Sequence, residues 1–193
     1  MAEIKTWTEI IKGLSTRKDR GASIPTGYPS LDHRVGGLGK GELTVLASRY
    51  PEVASTLAGN IAIDAALLDY DVLLITSERM DNVAVRIISS ACLVEAYRIR
   101  GASTVPTECS FLSALLDCGV LPLSFCDMPE HVSDLSDVVA DFVDGAERGN
   151  ALVVVDGIES LPDGEPCEIA ELLRTAARAH EAAILATTPS PYN

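Results

Sequence analysis

The residues of this sequence that could do chemistry begin at a junction where a buried strand gives way to a helix. The apolar run 43–47 predicts the strand, and a helical run follows over about 53–68. In nucleoside triphosphate sites this junction reads G-x-x-x-x-G-K-[ST]. Its glycines let backbone N–H groups surround phosphates, its lysine meets the β and γ oxygens, and its hydroxyl holds Mg²⁺. The candidate positions for ATP binding are here Ser48, Arg49, Glu52, Val53, Ala54, Ser55 and Thr56.

This window has lost most of the groups that bind phosphate. It reads S-R-Y-P-E-V-A-S, so only its final hydroxyl residue matches the pattern. Val53 replaces the second glycine, although a β-branched residue does not readily adopt a left-handed conformation, and Ala54 replaces the lysine. Pro51 removes an N–H donor, and Glu52 adds a negative charge. Loss of the lysine alone removes a contact worth about 1.5–3 kcal/mol. We therefore expect no cofactor, with ATP and Mg²⁺ bound only if the loop is still competent.

Two acidic residues follow other predicted strands. Glu78 comes after the run DVLLIT, and Asp156 comes after ALVVV. Carboxyl ends of parallel strands meet at one edge of a sheet, where ligands of such folds bind. Ser55 and Asp156 are the candidate Mg²⁺ ligands, and Glu78 is the candidate general base, vestigial unless nucleotide binds. A solvated or helix-capping carboxylate is the alternative for each acid. Lys40, the only nearby lysine, either replaces the missing one or lies in a turn.

Apolar runs alternate with helical patterns along the whole chain. This order predicts the α/β class, with a mostly parallel central sheet and helices on both faces. We expect strands at 43–47, 71–76, 121–126, 151–155 and 182–187, and helices at 30–34, 53–68, 82–98, 107–117, 132–143 and 169–177.

The N-terminal segment has a helical pattern of its own. Apolar residues fall near one helical face at Ile4, Trp7, Ile10, Ile11 and Leu14. Residues 1–22 are therefore expected to form an amphipathic linker helix and a charged linker, and residues 23–193 a single domain. The apolar face of that helix needs a cover, which is either its own domain or a neighbouring protein.

Composition limits the location and the partners. The 193 residues include 15 Lys and Arg against 28 Asp and Glu, a net charge of −13. Such a surface repels phosphate backbones, so we expect direct DNA binding to be weak or absent. The N-terminus lacks a signal-peptide core, and no apolar run is long enough to span a membrane, which predicts a cytoplasmic protein. Five scattered cysteines are expected to be reduced thiols.

Taken together, the stretch IPTGYPSLDHRVGGLGKGELTVLASR resembles the entry to the motor domain of the DnaB-type replicative helicases. In that family GIPTG-x-x-x-LD-x-x-x-GGL-x-x-G-(D/E)-L leads into the ATP loop. VLLITSER is similar to the strand with the catalytic glutamate, here Glu78, and LVVVDGIESL to the strand with the Mg²⁺-coordinating aspartate, here Asp156. The likeness covers about residues 20–188, and RecA-like and KaiC-like ATPases share it more loosely. The resemblance implies a RecA-like P-loop NTPase fold, hexameric rings, ATP-driven unwinding and a linker helix, here residues 3–14, that docks on the adjacent subunit.

The departures from the family pattern shape the functional expectation. The ATP loop lacks its glycine and lysine, the usual polar sensor is replaced near Thr188, and the sequence ends before the later strands of the family. We expect a truncated RecA-like domain that acts as a non-hydrolysing accessory or regulatory module in DNA replication or a related process. It would bind itself or a helicase-like protein through residues 3–14. The alternatives are an active ATP-dependent DNA helicase or ATPase with an unorthodox loop, and a KaiC-like regulatory protein.

Overall fold

Alternating strands and helices build one central sheet in the computed structural model, which describes residues 23–101, 121–146, 150–161 and 163–190. The sheet has five strands in the order β1-β5-β4-β2-β3, and all neighbouring strands are parallel. The strands are β1 Leu43–Ser48, β2 Asp71–Thr76, β3 Leu123–Asp127, β4 Ala151–Asp156 and β5 Ala183–Pro189. The helices are α1 Pro29–Val35, α2 Pro51–Leu67, α3 Met80–Cys92, α4 Ala96–Gly101, α5 Val132–Gly145 and α6 Pro166–His180.

Helices cover both faces of the sheet, which confirms the predicted α/β class. Alternate residues of a strand point to opposite faces. Val72 and Leu74 of β2 therefore join a buried cluster with α2 and α3, while Leu73 and Ile75 join a second cluster with α5 and α6. Strands β2, β4 and β5 are buried along almost their whole length, so both of their faces are apolar. Burial on both faces of these strands explains why they are uninterrupted apolar runs in the sequence.

Proline sets the start of three helices. Pro29, Pro51 and Pro166 stand at the first positions of α1, α2 and α6, where a missing N–H costs nothing and the fixed φ suits a helix. Helix α2 consequently begins at Pro51, two residues before the predicted start at residue 53. The connection from β1 to α2 is only Arg49 and Tyr50.

Several sequence predictions need correction. The helix expected over 82–98 is two helices, because Leu93 takes the left-handed conformation (φ +54°) and ends α3. Cys92 is disulfide-bonded, so the prediction of reduced thiols is wrong for that residue, whereas Cys126 and Cys167 are free. The helix expected at 107–117 and the linker helix within residues 1–22 lie outside the described residues. Over the part of the chain that the structure describes, no helix has the length and apolarity needed to cross a membrane.

Candidate functional site

The ends of three strands lie level at one edge of the sheet. Thr76, the last residue of β2, is in register with Asp127 of β3 and with Asp156 of β4. Glu78 follows two residues after the end of β2, and the first turns of α2 reach the same edge through Ser55. This arrangement brings together the Ser55, Glu78 and Asp156 side chains that the sequence singled out.

Asp156 is the centre of a buried hydrogen-bond network. Its side chain is only 8% exposed. The hydroxyls of Ser55 and Thr187 each donate to its Oδ1 atom over 2.7 Å. The N–H of Gly157, which takes a positive φ of 83° just after β4, donates to Thr187 Oγ1 over 2.8 Å. Thr187 therefore links the backbone of the turn to the carboxylate.

Arg86 of α3 brings a positive charge to the same edge. Its guanidinium Nη1 lies 2.5 Å from Glu78 Oε2, and its Nη2 lies 3.7 Å from Asp156 Oδ2. Arg79, which directly follows Glu78 in the sequence, instead pairs with Asp81 at 3.2 Å on the open surface, where both side chains are at least 80% exposed.

The junction between β1 and α2 uses its own backbone groups. The N–H of Tyr50 donates to Ser48 Oγ over 3.1 Å, and the N–H of Val53 donates to the Tyr50 carbonyl over 2.9 Å. Pro51 has no N–H. A phosphate loop presents several free N–H groups at this position. Here the N–H groups of Tyr50 and Val53 are instead hydrogen-bonded within the chain.

The side chains of this junction do not converge on one point. Ala54 is buried, with 4% of its surface exposed, whereas Val53 is 59% exposed. Thr56 donates its hydroxyl to the carbonyl of Glu52 over 2.6 Å, within the first turns of α2. Arg49 is exposed. Of the seven candidate positions, only Ser55 has a side-chain hydrogen bond to Asp156 among the described residues.

Lys40 does not replace the missing lysine within its own chain. Its Nζ donates to Asn150 Oδ1 over 2.9 Å, and Asn150 directly precedes β4. Because Asp156 ends β4, Lys40 lies at the opposite end of that strand. The alternative of Lys40 as a turn residue is the one that agrees with the structure.

A cleft opens beside the ion pair of Glu78 and Arg86. Its volume is about 370 Å³, and Thr56 borders it from α2. Most of the other residues that line it come from α3 and α4, including Asn82, Ser89, Ser90 and Arg100. Solvent and small solutes therefore have access to the Glu78 side chain, which is 42% exposed.

Two residues of this site were missed by sequence reasoning. Arg86 was read only as part of a helix, yet it follows Glu78 by eight residues and lies between the buried Val83 and Ile87 of α3. Thr187 directly precedes Thr188, near which the sequence replaces the polar sensor of the family. Neighbouring strand residues face opposite ways, so the sequence offered two hydroxyls and no means of choosing between them.

The five-stranded parallel sheet, with helices on both faces and acidic residues at its carboxyl edge, has the arrangement of RecA-like α/β domains. Comparison with known proteins gives the family. The sequence model of the protein family described as the DnaB-like helicase C-terminal domain matches residues 23–188, and the chain belongs to this family.

Individual relatives agree with this assignment. The replicative DNA helicase DnaB of Buchnera aphidicola subsp. Schizaphis graminum is 28% identical over 185 residues, covering 89% of this chain and 39% of that protein. A DnaB-like replicative helicase, solved in a study of its interactions with primase, superposes with a TM-score of 0.80 at 14% identity. The match covers 97% of this chain and 49% of that one. A second solved structure, described as an ATPase domain, superposes with a TM-score of 0.76 at 16% identity, covering 97% of this chain and 72% of that one. The chain thus spans about two fifths of the Buchnera helicase and about half of the first of these structures.

Proposed function

We propose that this chain is a helicase-like module that does not hydrolyse nucleotides. It acts in DNA replication or a related process as an accessory or regulatory protein, by binding a further copy of itself or a helicase-like partner. Membership of the DnaB-like family supports the setting in replication. One of the structural relatives was studied for its interactions with primase, which gives a precedent for protein partners in that relative.

The early start of α2 is the observation that carries this proposal. Because the helix already runs from Pro51, residue 54 lies inside it with a buried side chain, and no lysine stands there to meet a β or γ phosphate. The amides of Tyr50 and Val53 are hydrogen-bonded within the chain. These features oppose the binding of a triphosphate at this junction, and Glu52 in the first turn of the helix adds repulsion.

The same geometry bears on Mg²⁺. In phosphoryl-transfer sites protein oxygens and phosphate oxygens bind the metal together, and the metal neutralises the charge of the phosphates. Ser55 and Asp156 are present here and hydrogen-bonded to each other, but the phosphate half of such a site has no counterpart at this junction. We therefore assign no catalytic step to Glu78 and treat it as a vestigial general base.

Protein contact suits the charge of this chain better than DNA contact. The net charge of −13 opposes the approach of a phosphate backbone, and long-range repulsion of this kind lowers the rate of encounter. We propose that residues 3–14 form the docking element for the protein partner. Direct DNA binding is expected to be weak or absent, and an anisotropy titration with labelled single-stranded DNA at low salt measures it.

Isothermal titration with ATP and Mg²⁺ tests the proposed loss of hydrolysis. We expect no heat of binding and no phosphate release from the full chain. The control is the Glu78→Gln variant, which should behave as the wild type does. Micromolar binding together with turnover that Glu78→Gln abolishes would overturn the proposal and establish an ATPase.

Light scattering tests the docking role of the N-terminal segment. The full chain, alone and mixed with a replicative helicase, is compared with a variant that lacks residues 1–16. We expect the variant to lose the self-association or the complex, whichever the full chain forms. An unchanged mass in both settings would contradict docking through residues 3–14.

An active ATPase with an unorthodox loop is the second candidate function. The retained proximity of Ser55 and Asp156, with Glu78 beside a solvent-accessible cleft, favours it. In that case the cation missing at residue 54 has to come from a neighbouring molecule, because Lys40 lies at the other end of β4. Turnover that rises steeply with protein concentration would identify this behaviour.

A further inference from the structure

One guanidinium group stands between two carboxylates that belong to different strands. Arg86 faces Glu78 after β2 at 2.5 Å and Asp156 at the end of β4 at 3.7 Å. Its position on α3 is fixed by the flanking Val83 and Ile87, which are buried in the cluster shared with α2 and the sheet. The placement of this charge therefore follows from the packing of the helix.

We infer that Arg86 is the resident cation of this strand edge. Its one positive charge offsets half of the negative charge of Glu78 and Asp156 and lies against one oxygen of each, so that the folded chain binds no divalent cation there. The inference deepens the proposed function, because a site that carries its own cation stays ordered without metal or nucleotide.

Burial strengthens the electrostatic interaction between Arg86 and Asp156. The Asp156 side chain is 8% exposed and that of Arg86 25%, so solvent screens the attraction between them only weakly. A buried carboxylate without an opposite charge is strongly destabilising. The hydroxyls of Ser55 and Thr187 donate hydrogen bonds to Oδ1 of Asp156, whereas Oδ2 is the atom that faces Arg86.

Two of the three guanidinium nitrogens of Arg86 make no hydrogen bond to the part of the chain that the structure describes. Nε and Nη2 of Arg86 are buried, and neither has a hydrogen-bond acceptor among the described residues. The interaction of Nη2 with Asp156 is thus a charge–charge attraction across 3.7 Å, longer than a hydrogen bond. Buried N–H groups without an acceptor are costly, so the attraction of Arg86 to the two carboxylates has to offset this cost.

A divalent cation would compete with this arginine for the same oxygens. Mg²⁺ and Mn²⁺ prefer several oxygen ligands in octahedral geometry. Within the described ranges, no group of three or more His, Cys, Asp or Glu side chains is placed to hold a metal. With the guanidinium charge removed, two carboxylates and two hydroxyls remain at this edge and form an oxygen set that suits such ions.

Titration of the full chain with Mn²⁺ in the absence of nucleotide, followed by electron paramagnetic resonance, tests the inference. We expect the wild type to show no detectable Mn²⁺ binding at this edge. The Arg86→Gln variant should bind Mn²⁺ with an affinity at least about tenfold above the detection limit set by the wild type, since one opposing charge is gone. The double variant Arg86→Gln/Asp156→Asn should lose that gain. Arg79→Gln is the matched control, because Arg79 is 80% exposed and its ion pair is with Asp81 on the surface.

Three results would overturn the inference. They are wild-type Mn²⁺ binding as tight as that of Arg86→Gln, an equal gain in Arg79→Gln, and a gain that survives Asp156→Asn. ATP binding by the wild type without any Mn²⁺ binding in the absence of nucleotide would contradict the proposed function and leave this inference standing. The two failures are therefore distinguishable.

A second measurement uses the wild type and one mild variant. Nuclear magnetic resonance of the arginine side chains should show slow rotation of the Arg86 guanidinium in the wild type. Rotation should become faster in Glu78→Gln, where the closest charged contact is lost while a residue of the same shape remains. Rotation in the wild type as fast as that of the exposed Arg79 would contradict the inference.

Discussion

Ser55 and Asp156 are 101 residues apart in the chain, and the hydroxyl of Ser55 donates to Asp156 Oδ1 over 2.7 Å. This bond ties the start of α2 to the end of β4. The two residues thus keep the proximity that a metal-binding pair requires, while the residues just before Ser55 form an ordinary helix start. We therefore expect the buried polar network around Asp156 to stabilise the fold.

Substitution of Asp156 tests that stability role. Asp156→Ala removes the acceptor of two hydroxyls and the counter-charge of Arg86, so we expect the free energy of unfolding to fall by about 3 kcal/mol. Asp156→Asn keeps one oxygen and should cost less, about 1–3 kcal/mol. Chemical denaturation followed by circular dichroism measures both. Asp137→Asn, at an exposed position of α5, is the control and should stay within about 0.5 kcal/mol of the wild type.

Thr187→Val separates the hydroxyl from the packing. Thr187 is 3% exposed, and its hydroxyl both donates to Asp156 and accepts from the Gly157 N–H. Valine has nearly the same shape, but it leaves the Gly157 N–H without this acceptor and Asp156 with one hydroxyl donor instead of two, so we expect a loss of about 1–3 kcal/mol in unfolding free energy. Thr188→Val, one residue further and less buried, should change it by less than about 0.5 kcal/mol. Equal effects of the two substitutions would contradict the relay through Thr187.

The sequence was sufficient for the class of fold and for the strand-end residues. Long apolar runs and their alternation with helical patterns predicted the parallel sheet, and Asp156 was recognised because it directly follows the most continuous strand. Arg86 was not recognised, because its role depends on how α3 packs against the sheet, which has no local signature. The break at Leu93 was missed for a similar reason, since leucine is a good helix former and nothing nearby signals a left-handed residue.

Introducing a lysine at residue 54 tests whether the junction is a helix start. Ala54 is 4% exposed, so Ala54→Lys has to bury a charge or push the helix away, and we expect a loss of about 2–4 kcal/mol in unfolding free energy. ATP–Mg²⁺ should not restore the melting temperature. Val53→Lys, at a position that is 59% exposed, should be nearly neutral. A stable Ala54→Lys variant that ATP stabilises further would show that a phosphate loop can still form here.

Leu93 offers a site for stabilisation. Its φ of +54° is unfavourable for a residue with a Cβ atom, its side chain is 93% exposed, and its N–H donates to the Ser89 carbonyl at the end of α3. Leu93→Gly should therefore raise the free energy of unfolding by about 0.5–1 kcal/mol. Leu93→Ala keeps the Cβ atom and should give no such gain, which makes it the matched control. A loss of stability in Leu93→Gly would indicate that this side chain makes contacts of its own.

The pair formed by His131 and Asp163 predicts a pH dependence. His131 Nδ1 lies 3.0 Å from Asp163 Oδ2, and the N–H of Val132 at the start of α5 donates to Asp163 Oδ1. The hydrogen bond and charge of Asp163, with smaller contributions from Asp134 and Glu130, raise the pKa of His131 above its ordinary 6.5. The hydrogen bond from His131 lowers the pKa of Asp163 below its ordinary 3.8.

The signs of these two shifts fix the window in which the pair stabilises the fold. The contribution of His131 is complete below pH 6.5 and is lost as the pH rises through its raised folded-state pKa. The contribution of Asp163 is present above pH 3.8 and is lost as the pH falls through its lowered pKa. The wild type should therefore melt at a higher temperature than His131→Gln between these values, and the difference should shrink toward alkaline pH. His33→Gln, at an exposed position of α1, should show no such pH-dependent difference. A difference between wild type and His131→Gln that stays constant from acidic to alkaline pH would contradict the role of this pair.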